Sequence, residues 1–169
     1  MKYLFIVQGE GRSHLTQAIS LSQMLRHHGH EVVEVLVGKS SNREIPSFFL
    51  EKIGAKVKTF ASPNFCYGRD HKKVKLAKSI LLNITVKKLR EYRKSVNLIH
   101  RHIQKMEPDV VINFYEILAG LVNLRFREHV PFVCIAHQFL MKHPDYQYGN
   151  RTRKEEILLR LNNTLCSIG

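Results

Sequence analysis

The first 37 residues constrain the fold more than any other part of the chain. Tyr3-Leu4-Phe5-Ile6-Val7 is an uninterrupted apolar run, Gln8-Gly9-Glu10-Gly11-Arg12-Ser13-His14 is a polar turn, Leu15, Ala18, Leu21 or Ser22 and Leu25 recur at helical spacing, and Glu31 to Val37 is rich in valine. A run apolar at every position cannot have a solvated face, so it reads as a central parallel strand covered on both sides. A strand, a helix of about four turns and a second strand then close a right-handed crossover. Ser13 is placed to cap the helix start and Gly29 to follow its end.

The alternation continues. Residues 45–53 predict a short helix stopped by Gly54, residues 56–61 a third strand, and residues 71–105 a largely helical region. Weak helix formers at Asn83-Ile84-Thr85-Val86 divide that region into two helices. Residues 109–113 and 130–136 read as the fourth and fifth strands, with helices over 117–124 and 151–161. The expected architecture is a single α/β, Rossmann-like, three-layer domain over residues 1–169 with strand order 3-2-1-4-5. Ligands of such a sheet bind at the carboxyl ends of strands one, four and five, where the order reverses. A length of 169 residues and 44% hydrophobic content suffice for one core.

A glycine turn leading into a helix brings backbone amides and the positive end of the helix dipole towards an anion. Gly9, Gly11, Arg12 and Ser13 are therefore expected to bind an acceptor or a phosphate; the plainer alternative is that the two glycines only permit a tight turn. A dinucleotide fingerprint does not fit, because its third glycine would fall at His14 and strand two ends in Val37-Gly38-Lys39, without an acid for a ribose.

Gly9, Gly11 and His14 in the loop, with Leu25, Gly29, His30, Glu31 and Val32 at the helix end, resemble the opening of the amino-terminal domain of GT-B glycosyltransferases. The likeness is to glycosyltransferase family 28, the group of the peptidoglycan N-acetylglucosaminyltransferase, and more distantly to UDP-glucuronosyltransferases. Ser13 stands where that family has glycine before the histidine. The resemblance implies half of a GT-B fold: an acceptor-side domain serving a nucleotide-sugar donor, UDP-linked by analogy, that is held by a carboxyl-terminal domain absent from this chain. On that view the sequence is a fragment of a longer enzyme or one subunit of a split one with a partner subunit, and is inactive alone. The acceptor would be a sugar or a lipid-linked sugar, and no cofactor is called for.

Glycosyl transfer requires a base for the attacking hydroxyl, and a neutral imidazole serves at neutral pH. The resemblance assigns this role to His14, with Glu116 as the carboxylate that would orient it; the alternative for Glu116 is an acid favoured by a helix amino terminus. Asn113, Tyr115, His137 and Gln138 follow strands four and five and are secondary candidates at the crevice. His27, His28 and His30 point to different faces of a helix and complement its carboxyl end rather than forming a metal site, and no metal set is expected anywhere. Cys134 reads as core. Three cysteines without paired spacing suit a reducing, cytoplasmic setting.

The chain carries 27 Lys plus Arg against 14 acids, a formal charge of +13, which attracts polyanions of any kind. Eleven of the basic residues lie between His71 and Lys105 with one acid, Glu91. Leu89, Tyr92, Val96, Ile99 and Ile103 form a core stripe there. The preceding stretch has apolar residues in excess of one buried stripe, and Lys72, Lys73, Lys75, Lys78, Ile80 and Leu81 are candidates to lie on an anionic membrane at its inner face, unless that helix docks on a second domain. The competing class is a basic nucleic-acid-binding module without catalysis, for which no groove-reading motif or aromatic platform is visible.

Overall fold

The computed structural model describes residues 1–63, 85–143, 145–146 and 153–167. Five strands, β1 (Lys2–Gln8), β2 (Glu31–Lys39), β3 (Val57–Ala61), β4 (Val110–Phe114) and β5 (Phe132–Cys134), form one sheet in the order β3-β2-β1-β4-β5, and every pairing is parallel. The predicted class and strand order hold. The helices are α1 (Arg12–His27), α2 (Ser47–Lys52), α3 (Val86–Met106), α4 (Ile117–Phe126) and α5 (Arg153–Cys166), with a 3-10 helix at His137–Lys142 after β5.

Side-chain alternation along β1 divides the core. Phe5 and Val7 face α1 and α2, packing on Leu15, Ala18, Ile19, Phe49 and Ile53. Leu4 and Ile6 face α3 and α4, meeting Tyr92, Val96, Ile99, Ile103, Leu118 and Val122. A strand buried on both faces is what an unbroken apolar run requires.

Several local expectations change. The cap of α1 is Gly11, and Ser13 lies exposed in the first turn, because the chain turns helical two residues earlier than the apolar spacing suggests. Gly29 does follow the helix end, with φ +74. Helix α3 begins at Val86, the last residue of the weak patch, where the side chain of Thr85 accepts from the Lys88 amide. Leu89 leaves the expected stripe and is 51% exposed, whereas Tyr92, Val96, Ile99 and Ile103 are buried. β5 is three residues long, an edge strand, so Cys134 is half-buried rather than core. Cys66 and the membrane candidates Lys72, Lys73, Lys75, Lys78, Ile80 and Leu81 lie outside the described residues. Among the described residues no helix is long and apolar enough to cross a membrane.

Candidate functional site

The turn after β1 is folded tightly onto the protein itself. The Gly9 amide donates to the Gly38 carbonyl at 2.8 Å, and a Cβ at Gly9 would meet that oxygen and Val37 at 2.8 Å. The loop after β2 closes over it: Glu10 accepts from the Ser40 amide at 2.7 Å and Arg43 donates to the Gly9 carbonyl at 3.3 Å. The Gly11 amide donates to Gln8 Oε1 at 3.3 Å. Both glycine amides that were expected to face an anion are thus engaged within the chain. Gly9 is required for close approach to β2, which is the plainer of the two readings. Arg12 and Ser13 are exposed at the start of α1.

His14 is in the first turn of α1 and only 3% exposed. Its ring lies nearly parallel to that of Tyr115 (centroids 5.6 Å, 18°) and of His137 (5.8 Å, 12°). At its Nε2 stands the side-chain nitrogen of Gln138, 3.3 Å away. Burial, and then the proximity of His137, push the imidazole down to about 4, against a smaller upward pull from the Gln17 side chain. The helix amino terminus acts in the same direction as burial. At neutral pH His14 is therefore a neutral imidazole, able to take a proton but weakly basic.

Tyr115 follows β4 with φ +60, a left-handed conformation uncommon for a residue with a side chain. The surrounding turn imposes it. Asn113 accepts from the Glu116 amide at 2.8 Å and donates to the Glu116 carbonyl at 3.2 Å, clamping both sides of Tyr115. The ring thereby reaches His14, meets Phe139 edge-on at 5.8 Å, and its hydroxyl donates to Asn163 of α5. Asn163 in turn donates to the Gln138 carbonyl at 3.1 Å, so α5 fixes the 3-10 segment that carries His137 and Gln138.

Glu116 does not join this cluster. It caps α4, accepting from the Leu118 amide at 3.2 Å and from Ser62 Oγ at 2.6 Å, and its other oxygen abuts Gly38 beside Phe60, on the α3 side of the sheet. The expected pairing with His14 is not formed, because the turn at Tyr115 sends the two neighbouring side chains to opposite faces. Burial pushes the Glu116 carboxyl up to about 7, partly offset by its bonds to Ser62 and Leu118. Asn113 likewise serves the turn.

The structure thus brings His14 together with Tyr115, His137 and Gln138, which the sequence named only as separate candidates at the crevice, and with Gln17 and Asn163, which it did not name. Gln17 was legible as the residue one turn beyond His14; nothing near Asn163 in sequence signals its role. Among the described residues no group of His, Cys, Asp or Glu could hold a metal.

Comparison with known proteins gives this cluster a context. Among solved structures, the chain is similar to the spinosyn rhamnosyltransferase SpnG (16% identity over 79% of this chain and 34% of that one, TM-score 0.49). It is also similar to MurG of Acinetobacter baumannii (16%, 79% and 34%, TM-score 0.45) and to UGT89C1 of Arabidopsis thaliana complexed with UDP (17%, 89% and 41%, TM-score 0.45). The chain spans less than half the length of each of these proteins. No curated protein sequence matches it. The profile described as glycosyl transferase family 1 matches residues 1–166, nearly the whole chain, and the protein belongs to that family.

Proposed function

We propose that this chain is the acceptor-side domain of a glycosyltransferase, working with a donor-binding domain or partner subunit that holds a nucleotide sugar, UDP-linked as the resemblance of its opening residues implies. The observation that carries the reading is His14, a neutral imidazole set at the carboxyl end of the central strand in a family of transferases. Its Nε2 meets one replaceable group, the Gln138 amide at 3.3 Å. An acceptor hydroxyl that displaces this amide comes within reach of the base. As its oxygen attacks the anomeric carbon, its proton passes to Nε2, and the bond to the nucleoside diphosphate breaks with the electron pair leaving on phosphate. Tyr115 and His137 flank the ring and hold it. The half-buried Gln138 and the exposed His137, Arg12 and Ser13 are the groups an acceptor would meet first. Glu116 and Asn113 support the turn rather than the chemistry. A lipid-linked acceptor and a peripheral position on an anionic membrane fit the excess of basic charge.

The test is transfer from UDP-sugars by the complete transferase containing this chain, with His14→Asn compared against the unsubstituted protein. Loss of a general base predicts a fall in kcat of about 10²- to 10⁴-fold with KM for the acceptor little changed. Unchanged kcat would remove His14 from the reaction.

A further inference from the structure

Among the described residues, three buried polar atoms at the His14 ring have no hydrogen-bond partner in the structure: His14 Nδ1 itself, Gln17 Oε1 and Gln138 Oε1. Gln17 lies three residues along the same helix, on the same face, where side chains at that spacing meet. On the far side of the ring, Gln138 presents its amide nitrogen, a donor, to Nε2. With the Gln138 amide in this orientation its nitrogen faces a lone pair on Nε2, and the single proton of the neutral ring sits on Nδ1. That proton needs an acceptor, and Gln17 Oε1 is a buried acceptor that needs a proton. One small side-chain adjustment satisfies both.

We propose that Gln17 is the positioning residue for His14: its carboxamide oxygen accepts Nδ1–H, fixes the tautomer with the lone pair on Nε2, and aims that lone pair at the site of the acceptor hydroxyl. Gln17 thereby fills the place for which an acid was sought at Glu116. The inference rests on the reading of His14 as the base, but its own content is the ring's protonation pattern, which exists whether or not the protein transfers sugar. When Nε2 takes a proton, the charge appears beside a neutral carbonyl dipole rather than a carboxylate. This stabilises imidazolium less, in keeping with the weak basicity of the ring. Among the described residues, the other titratable groups facing the ring are His137 on the 3-10 segment and Tyr115 after β4, and neither is an acid that would take Nδ1–H in place of Gln17.

The experiment is long-range proton–nitrogen correlation on the ¹⁵N-labelled chain at pH 7, in which the protonated and bare ring nitrogens separate widely, with His14→Asn identifying the His14 signals. The expected result is a proton on Nδ1 and a bare Nε2. In Gln17→Ala the two tautomers mix, while in Gln17→Glu the Nδ1 proton is retained and the midpoint of His14 titration rises by about one to three pH units, as for a charge beside its counter-charge. Backbone amide spectra unchanged beyond the first two turns of α1 show that the variants are folded. A proton on Nε2 in the unsubstituted chain, or a tautomer indifferent to both substitutions, overturns the proposal. Neither outcome bears on whether the family's reaction occurs, and loss of transfer in His14→Asn with the expected spectra would establish both.

Discussion

At the scale of single residues, the two glycines of the β1–α1 turn do different work. Gly9 is pressed against the Gly38 carbonyl, so an added methyl must push backbone aside. Gly11 has nothing closer than 3.6 Å to an added Cβ and holds an extended cap conformation, φ -105, that any residue adopts. Gly9→Ala should therefore cost about 1–3 kcal/mol, the usual range for overpacking, whereas Gly11→Ser should be neutral or stabilising by about a few tenths of a kcal/mol through a side-chain cap that α1 now lacks. Urea denaturation of the two variants checks this, and equal losses would refute it. A ligand-facing role for Gly11 would appear as lost binding at unchanged stability. The presence of both glycines was legible in the sequence, but not which was packed, because that depends on how closely the end of β2 approaches. The same limit explains Glu116. Its place after β4 could be read, yet the left-handed turn at Tyr115 that sends it away from His14 leaves no mark in composition or spacing.

Among the elements, α3 is tied to the sheet by polar as well as apolar contacts. Glu34 of β2 is buried and meets Lys58 of β3 at 3.1 Å and His102 of α3 at 2.6 Å, while Ser95 donates to the Ala61 carbonyl at 2.7 Å. Removing Glu34 strands a half-buried imidazole and a lysine that is 37% exposed and can turn to water. Glu34→Ala is expected to cost about 2–4 kcal/mol, towards the lower end of buried-pair disruption because Lys58 is rescued by solvent. Lys88→Ala breaks only the surface pair with Glu91 at 3.7 Å and should cost less than about 1 kcal/mol. The two denaturation midpoints, at constant m, measure the contrast, and a Glu34→Ala loss no larger than that of Lys88→Ala would mean the trio does not anchor α3. Strands and helices themselves were legible because apolar periodicity reports burial directly. The 3-10 helix at His137–Lys142 was not, since one short turn has no period to detect, and β5 proved shorter than its apolar run because an edge strand pairs on one side only.

For the molecule as a whole, two buried titratable groups at the carboxyl end of the sheet, His14 and Glu116, pull stability in opposite directions. His14 falls from 6.5 to about 4 on folding, so its favourable state is complete above pH 6.5 and is lost as pH drops towards 4. Glu116 rises from 4.5 to about 7, so its favourable state is complete below pH 4.5 and is lost as pH climbs towards 7. Each is worth roughly 3 kcal/mol across its window, at 1.36 kcal/mol per pH unit. Between pH 4.5 and 6.5 the unfolded chain holds a proton on His14 and the folded chain holds one on Glu116, so the two slopes cancel. Single substitutions separate them. Glu116→Gln keeps the acceptor for Ser62 and Leu118 but removes the titration, so its stability should rise by roughly 3 kcal/mol from pH 4 to 6.5; His14→Asn should show the reverse, a fall of roughly 3 kcal/mol from pH 4.5 to 7. Other ionisable groups add a background common to all the proteins, so the difference between each variant's curve and the parent's isolates one member of the pair. Chemical denaturation at half-unit pH steps supplies those curves, and the double variant should restore the parent's shape. If both single variants instead keep that shape, neither side chain is held in the protonation state that its burial dictates.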